Sequence, residues 1–315
     1  MTDPYVRPDV AAFLAFLNAQ GGPQSHEIGA PAARELMKGM RDLSDAPVGE
    51  LAVIRDLAAP EPGGDVPLRL FDARAERDSG PALVYFHGGG FVFGDLDSHA
   101  PLCAEIARVL DLPVIAVDYR LAPENRWPAA PDDCEAAARW IAGSPDALGH
   151  QVDGLVLAGD SAGGTLTIVT ALALRDQPAA VPVLAQWPIY PLVDKVEKFD
   201  SYRQFANGYL LTSAGMAWFD DCYRADIAHW RGAPILADQA GMPPTLVVTA
   251  SLDPLRDQGR AYAAATALAG VPTVYREAEG TIHGFVNLRK ALPSAAGDIA
   301  GCLAMLKPMI AEARA

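Results

Sequence analysis

The sequence has few cysteines and no long hydrophobic run. Its four cysteines lie far apart and form no CxxC pair, so zinc-ribbon and thioredoxin-like functions lack the motif they need, and we expect reduced thiols. The apolar run from Val10 to Leu17 follows an acidic, proline-bearing stretch, unlike a signal peptide, and no stretch approaches the ~18 apolar residues of a membrane span. We therefore expect a cytoplasmic protein that does not enter a membrane.

Positive charge is also scarce. Lysine and arginine number 25 against 39 aspartates and glutamates, which gives a formal net charge of -14. A negative field of this size disfavours nucleic acid and anionic membranes as partners and is compatible with a small neutral molecule. With 315 residues, half of them hydrophobic, the chain is long enough for one large domain that carries an accessory layer.

From about residue 51, short apolar runs alternate with helical patterns. The runs are mostly continuous, which is typical of strands buried on both faces; they are LAVIRDL, VPLRLFDA, ALVYFHG, PVIAVDY, GLVLAGD, PVLAQWPIY and TLVVTAS. The helical patterns between them are HAPLCAEIARVL, APDDCEAAARWIAG, AGGTLTIVTALALRD and RDQGRAYAAATALAG. This order predicts an α/β fold with a mostly parallel central sheet and helices on both faces.

Two segments stand outside this alternation. Residues 1–45 hold two helical patterns, and residues 191–232 form an aromatic, charged insertion where a short connection is expected. Insertions of this length in a compact fold are usually lids or binding elements. Residues 46–190 and 233–315 then form the α/β domain. The aromatic side chains of the insertion either line a pocket or form a hydrophobic core of their own; the candidates are Phe205, Tyr209, Trp218 and Phe219.

The stretch VLAGDSAGGTL places Ser161 between two glycines. A chance GxSxG is expected about 0.08 times in this composition, so the pentapeptide alone is only suggestive. Its position directly after an apolar strand and directly before a helical pattern is that of a nucleophile elbow, a turn so tight that Gly159 and Gly163 leave no room for side chains. The same turn sets the N–H of Ala162 at a helix N-terminus, where it favours a negative oxygen.

The stretch YFHGGGFVFGD could supply the remaining donors for such an oxygen. Three consecutive glycines after a buried strand let backbone N–H groups approach a substrate closely. A phosphate loop is excluded because no GK[ST] follows, and a dinucleotide fingerprint fails because Phe93 stands where its third glycine belongs. We expect His87 and Gly88 to shape this loop, with a role for His87 as a base as the alternative.

A serine nucleophile needs a base and a carboxylate that orients it. His283 follows the last strand pattern, TVYREA, in a loop with glycine after it, which fits a base at the end of the sheet. The remaining histidines lie in polar loops or on helices: His26, His99, His150 and His229. Asp253 directly follows the strand TLVVTA and precedes the base in the chain, as this type of sheet requires. Asp257 competes with it but lies a helical turn further on.

Other polar clusters have simpler interpretations. Asp95, Asp97 and His99 alternate as in a metal loop, but they also suit the start of the next helix, and we expect no metal. Asp160 is expected to support the elbow. A further acidic group is expected to be a loop and a solvated helix start rather than a carboxylate pair; its members are Glu124, Asp132, Asp133 and Glu135.

Four motifs together resemble the bacterial hormone-sensitive-lipase-like carboxylesterases of the α/β-hydrolase superfamily. They are HGGGF at 87–91, GDSAGG at 159–164, DPLRD at 253–257 and HGF at 283–285, and the segment 117–133 adds to them. Thr165 departs from the asparagine that commonly follows GDSAGG. The resemblance implies an α/β-hydrolase fold whose N-terminal helices, 1–45, and insertion, 191–232, form a helical cap.

The resemblance also implies the roles of individual residues. Ser161 is the nucleophile, Asp253 the acid and His283 the base, while the N–H groups of Gly89, Gly90 and Ala162 form the oxyanion hole. The implied substrates are short to medium acyl esters, hydrolysed without a cofactor. An amidase or deacetylase with the same triad stays open, as does a non-catalytic receptor on this fold, and an exposed edge strand could support a homodimer.

Overall fold

The computed structural model describes residues 4–61 and 63–314. Its α-helices are α1 (Pro8–Gln20), α2 (Ser25–Ile28), α3 (Ala30–Ser44), α4 (Ala100–Leu110), α5 (Ala129–Ala142), α6 (Ala162–Asp176), α7 (Asp200–Gln204), α8 (Ser213–Tyr223), α9 (Arg256–Leu268) and α10 (Ala295–Ala313). Its strands are β1 (Val53–Ala59), β2 (Val66–Asp72), β3 (Ser79–Phe86), β4 (Val114–Val117), β5 (Gln151–Asp160), β6 (Val183–Ile189), β7 (Thr245–Leu252) and β8 (Thr273–Ile282).

The strands form one eight-stranded sheet in the order β1-β2-β4-β3-β5-β6-β7-β8. From β4 to β8 all neighbours are parallel, whereas β2 pairs antiparallel with both β1 and β4. The central strands are buried on both faces, as their continuous apolar runs predict. The predicted fold class, a mostly parallel sheet with helices around it, is therefore confirmed.

Strand β5 and helix α6 at the centre of the sheet position the site. The chain leaves β5 at Asp160, turns at Ser161 alone and enters α6 at Ala162. Most of α6 is buried, including Gly163 and Gly164 in its first turn, because it packs against the sheet and against the neighbouring helix α5. This burial fixes the turn firmly at the carboxyl end of the central strands, where open α/β sheets bind their ligands.

The two segments outside the alternation lie close to each other. The short helix α2 contacts both α3 and α8, so a helix from the first 45 residues packs against one from the 191–232 insertion. Outside the 191–232 insertion, two of the described helices have no counterpart in the sequence patterns, namely α2 and the C-terminal α10. None of the described helices is both long and apolar enough to cross a bilayer.

Candidate active site

Ser161 occupies a strained turn at the end of β5. Its backbone angles, φ 54° and ψ −118°, are ones that a non-glycine residue adopts only when the surroundings impose them. A Cβ on Gly163 would lie 1.9 Å from the carbonyl oxygen of Phe86, and one on Gly159 would lie 2.4 Å from the carbonyl oxygen of Gly163. The glycines thus let α6 approach β3 closely, and Ser161 lies at the carboxyl end of the central strand β5.

The serine is hydrogen-bonded to a histidine, and this histidine is hydrogen-bonded to an aspartate, each from another loop. His283 Nε2 lies 2.8 Å from Ser161 Oγ, and His283 Nδ1 lies 2.7 Å from Asp253 Oδ2. Asp253 is fully buried, and its second oxygen accepts the N–H of Leu255 at 2.8 Å. A carboxylate in this position holds the imidazole with Nδ1 protonated, so Nε2 is free to accept the serine proton.

Three residues that line the same cavity as Ser161 have backbone N–H groups without a hydrogen-bond partner among the described residues. In the part of the chain that the structure describes, no hydrogen bond uses the N–H of Gly89, Gly90 or Ala162. Gly89 and Gly90 have φ values of 120° and 60°, which residues with a side chain rarely adopt. The carbonyl of Gly89 accepts the N–H groups of Val92 and Phe93, and these bonds hold the loop in place.

A cavity of about 970 Å³ opens over the serine. Its wall includes Ser161, His283 and Gly88 to Gly90, together with residues of the N-terminal segment and of the 191–232 insertion. Trp218 and Phe219 line it, and the Phe219 ring covers Gly90 so closely that a Cβ there would lie 2.5 Å from it. The lining does not include Phe205 or Tyr209, which pack edge to face against each other at 5.1 Å.

Comparison with known proteins identifies the family. The profile described as the alpha/beta hydrolase fold matches residues 83–287, more than half of the chain. The chain belongs to the α/β-hydrolase fold family. The ethyl acetate hydrolase of Pseudomonas putida is 35% identical over 303 residues, which are 92% of this chain and 95% of that protein. The carboxylic ester hydrolase LipN of Mycobacterium tuberculosis is 40% identical over 249 residues, 75% of this chain and 65% of LipN.

Solved structures of ester hydrolases superpose closely on this chain. The ester-hydrolase EH1AB1 from the metagenome of Lake Arreo, in complex with a bipyridine phosphonate derivative, superposes with a TM-score of 0.91 at 35% identity and covers 98% of this chain and 99% of that one. A thermostable esterase from Pseudomonas putida ECU1011 superposes with a TM-score of 0.92 at 28% identity and the same coverage. The resemblance to hormone-sensitive-lipase-like esterases and the predicted class, a carboxylic ester hydrolase, are thereby confirmed.

In this α/β-hydrolase, His87 lies behind the glycine loop and not beside the serine. Its ring stacks on Tyr119 with 4.2 Å between the centroids, and its Nδ1 lies 2.8 Å from the carbonyl oxygen of Gly88. Burial lowers the pKa of His87 to about 4. A neutral ring in this place shapes the loop, and a Cβ on Gly94 would collide with it at 2.2 Å.

Asp160 contacts the glycine loop directly. One of its carboxylate oxygens accepts the N–H of Gly88 at 2.9 Å and the hydroxyl of Tyr85 at 2.8 Å. Burial acts to raise the pKa of this carboxyl, but the charge and hydrogen bond of His99, together with the bonds from Tyr85 and Gly88, hold that pKa below its usual range. Asp160 is therefore an ionised group that ties the elbow to the glycine loop.

The competing acids are used elsewhere. Asp257 accepts hydrogen bonds from Ser201 and Arg256 instead of His283. The four acids of the 124–135 region each form an ion pair with an arginine, but Asp133 is only 1% exposed, so the expected solvated helix start is wrong for this residue. It is buried because Arg120 donates both side-chain and backbone N–H groups to it.

The side chains of Asp95, Asp97 and His99 are engaged in separate contacts. Asp95 accepts the N–H groups of Asp97 and Ser98 in a tight turn, and Asp97 pairs with Arg69. Over residues 4–61 and 63–314, no group of three or more metal-ligating side chains is found. Sequence reasoning overlooked the contact that His99 makes with Asp160 and Asn287; Asn287 stands 188 positions away in the chain, and no local pattern signals such a contact.

Proposed function

We propose that the protein hydrolyses neutral carboxylic esters of short to medium acyl length through an acyl-enzyme on Ser161. The observation that carries this proposal is the continuous hydrogen-bonded line from Ser161 Oγ through His283 to buried Asp253, with 2.8 and 2.7 Å between the heavy atoms. A serine hydroxyl becomes an effective nucleophile when a positioned base removes its proton. The esterase relatives add independent support.

The reaction follows from the geometry in two halves. His283 takes the proton of Ser161 as Oγ attacks the ester carbonyl, and the resulting oxyanion accepts the N–H groups of Gly89, Gly90 and Ala162. His283 then gives the proton to the departing alcohol. Water enters, loses a proton to His283 and attacks the acyl carbon, which releases the acid and restores the serine. Asp253 keeps the imidazole in the required tautomer throughout.

The proposed substrate class rests on the size of the cavity, its aromatic lining and the net charge of the chain. A volume of about 970 Å³ is large enough for a small organic ester with both of its arms, and Trp218 and Phe219 give it aromatic walls. The net charge of -14 disfavours anionic substrates. The Pseudomonas putida relative is named for ethyl acetate, which supports short esters for this protein too.

A panel of nitrophenyl esters of increasing acyl length, with a matched anilide, tests the proposal. We expect hydrolysis of the short and medium esters, little of the anilide, and a loss of at least about 10⁴-fold in kcat for Ser161→Ala. Ser79→Ala, an exposed serine at the start of β3, is the matched control and should keep full activity.

The other outcomes separate the competing functions. Faster cleavage of the anilide than of the ester would favour the amidase or deacetylase. Binding without turnover of any member of the panel would favour the receptor. The expected cytoplasmic location and the homodimer stay predictions, and sedimentation of the purified protein tests the latter.

A further inference from the structure

We propose that His99 is a positioning residue that holds the nucleophile elbow, the glycine loop and the histidine loop in register. The inference rests on the proposed ester hydrolysis, since it concerns the rate of that reaction. His99 is not in contact with Ser161 or His283. It acts through Asp160 and Asn287, each of which belongs to a segment that carries part of the site.

The contacts of Asp160 give the first step. This buried carboxylate directly precedes Ser161, and its Oδ1 atom accepts from Tyr85, Gly88 and His99. A Cβ on Gly88 would lie 2.4 Å from its Oδ2 atom, so the carboxylate and the start of the glycine loop are in close contact. Any shift of the carboxylate therefore moves the loop that carries the N–H groups of Gly89 and Gly90.

The contacts of His99 give the second step. Its Nε2 atom lies 3.0 Å from Asp160 Oδ1, 2.6 Å from Asn287 Nδ2 and 3.4 Å from the N–H nitrogen of Gly88. Its Nδ1 atom lies 2.9 Å from Ser98 Oγ, which fixes the plane of the ring. Asn287 follows His283 by one turn, and its own N–H bonds back to the carbonyl of Gly284. Nε2 carries at most one hydrogen, which it donates to Asp160 Oδ1, so Asn287 is a close neighbour of the ring and not a second partner of that hydrogen. One imidazole thus lies against all three segments.

Charge gives the third step. A buried carboxylate is costly unless it is paired and hydrogen-bonded. Among the described residues, His99 is the side chain that lies against Asp160 and is able to carry a positive charge. The other titratable groups beside them include His87, whose ring is 5.7 Å from that of His99, and the hydroxyls of Tyr85 and Tyr190. Without His99 we expect the carboxylate to move or to take up a proton, and either change loosens its hold on Gly88.

Two substitutions of His99 test this role. His99→Leu removes both ring nitrogens at similar volume, whereas His99→Gln keeps an N–H close to the position of Nε2. His150→Leu is the matched control, because His150 is also buried but precedes β5 at its opposite end, about 30 Å from Asp160 by strand geometry.

The readout is kcat per active site, with the sites counted by titration with a reactive phosphonate. We expect His99→Leu to lower kcat per titrated site about 10- to 100-fold with KM changed by less than about threefold. His99→Gln should recover kcat to within about fivefold of wild type, and His150→Leu should leave it unchanged.

Every other outcome either supports or overturns the positioning role of His99. If His99→Leu lowers only the melting temperature or the number of titrated sites, and kcat per site is unchanged, the residue is merely structural and the inference is wrong. If that variant does not fold, Asn287→Ala decides instead: a fall of about threefold or more in kcat per site supports the inference, and no change overturns it. A wild-type protein without esterase activity would instead overturn the proposed function.

Discussion

Adding one methyl group at Gly163 tests how the elbow is built. In Gly163→Ala the new Cβ would lie 1.9 Å from the carbonyl oxygen of Phe86 and 2.7 Å from that of His87. Carbon and carbonyl oxygen atoms normally stay about 3.3–3.6 Å apart. The end of β3 and the first turn of α6 must therefore separate by roughly 1.5 Å, and both partners are backbone, so no side chain can rotate out of the way.

The consequences follow from what lies on each side of that contact. The end of β3 leads into Gly89 and Gly90, whereas α6 begins with Ala162, so the substitution pulls apart the N–H groups that we propose bind one substrate oxygen. A misplacement of about 1 Å in a site costs about 100-fold in rate. Overpacking of a buried contact costs up to about 3 kcal/mol of the free energy of unfolding, which for a chain of 315 residues lowers the melting temperature by up to about 5 °C.

Thermal unfolding and kcat for a short nitrophenyl ester measure both effects. Gly297→Ala is the matched control: this glycine lies within α10, and a Cβ on it would meet nothing within 4 Å. The control should gain about 0.5–1 kcal/mol, since alanine favours a helix interior, and should keep wild-type kcat. Wild-type stability and rate in Gly163→Ala would refute the close approach of α6 to β3.

Three further predictions concern other parts of the site. Asp253→Asn should keep the fold but lower kcat about 10⁴-fold, because an amide stabilises the wrong tautomer of His283; steady-state kinetics and a melting curve test this, and a loss below about tenfold would contradict the role of Asp253. Burial lowers the pKa of His87 to about 4, whereas an unfolded histidine titrates near 6.5. Between these two pH values the unfolded chain binds more protons than the folded chain, so the free energy of unfolding falls as the pH decreases. Urea unfolding at pH 7 and pH 4.5 should therefore show about 2–3 kcal/mol less pH dependence in His87→Leu than in wild type, and equal dependence would contradict the burial of a neutral ring. Phe219→Ala removes the ring over Gly90 and should raise relative activity on branched or longer esters; an unchanged acyl-length profile would show that this ring does not bound the substrate.

Local pattern was enough to predict the sheet and the elbow. Continuous apolar runs mark strands buried on both faces, and the glycines beside Ser161 mark a turn that excludes side chains, so both signals lie within a few residues of what they predict. Helix α10 was not predicted because Gly297, Gly301 and Pro308 interrupt its helical pattern. Helix α2 spans only four residues, too short for any periodicity to appear.

The remainder of the site depends on contacts between distant segments. Phe205 and Trp218 are both aromatic residues of the insertion, yet only Trp218 lines the cavity, because Phe205 is buried beneath the guanidinium of Arg256. Composition does not distinguish the two. The contact between His99 and Asn287 likewise forms only when the loop before α4 and the loop after β8 pack together.

Covalent labelling tests whether Ser161 is the nucleophile of ester hydrolysis. A reactive phosphonate ester is incubated with the protein, and the labelled peptide is located by mass spectrometry. We expect one adduct, on Ser161, with loss of ester hydrolysis in proportion to labelling and no adduct in Ser161→Ala. Labelling at another residue, or full hydrolysis by protein that is completely labelled on Ser161, would contradict this expectation.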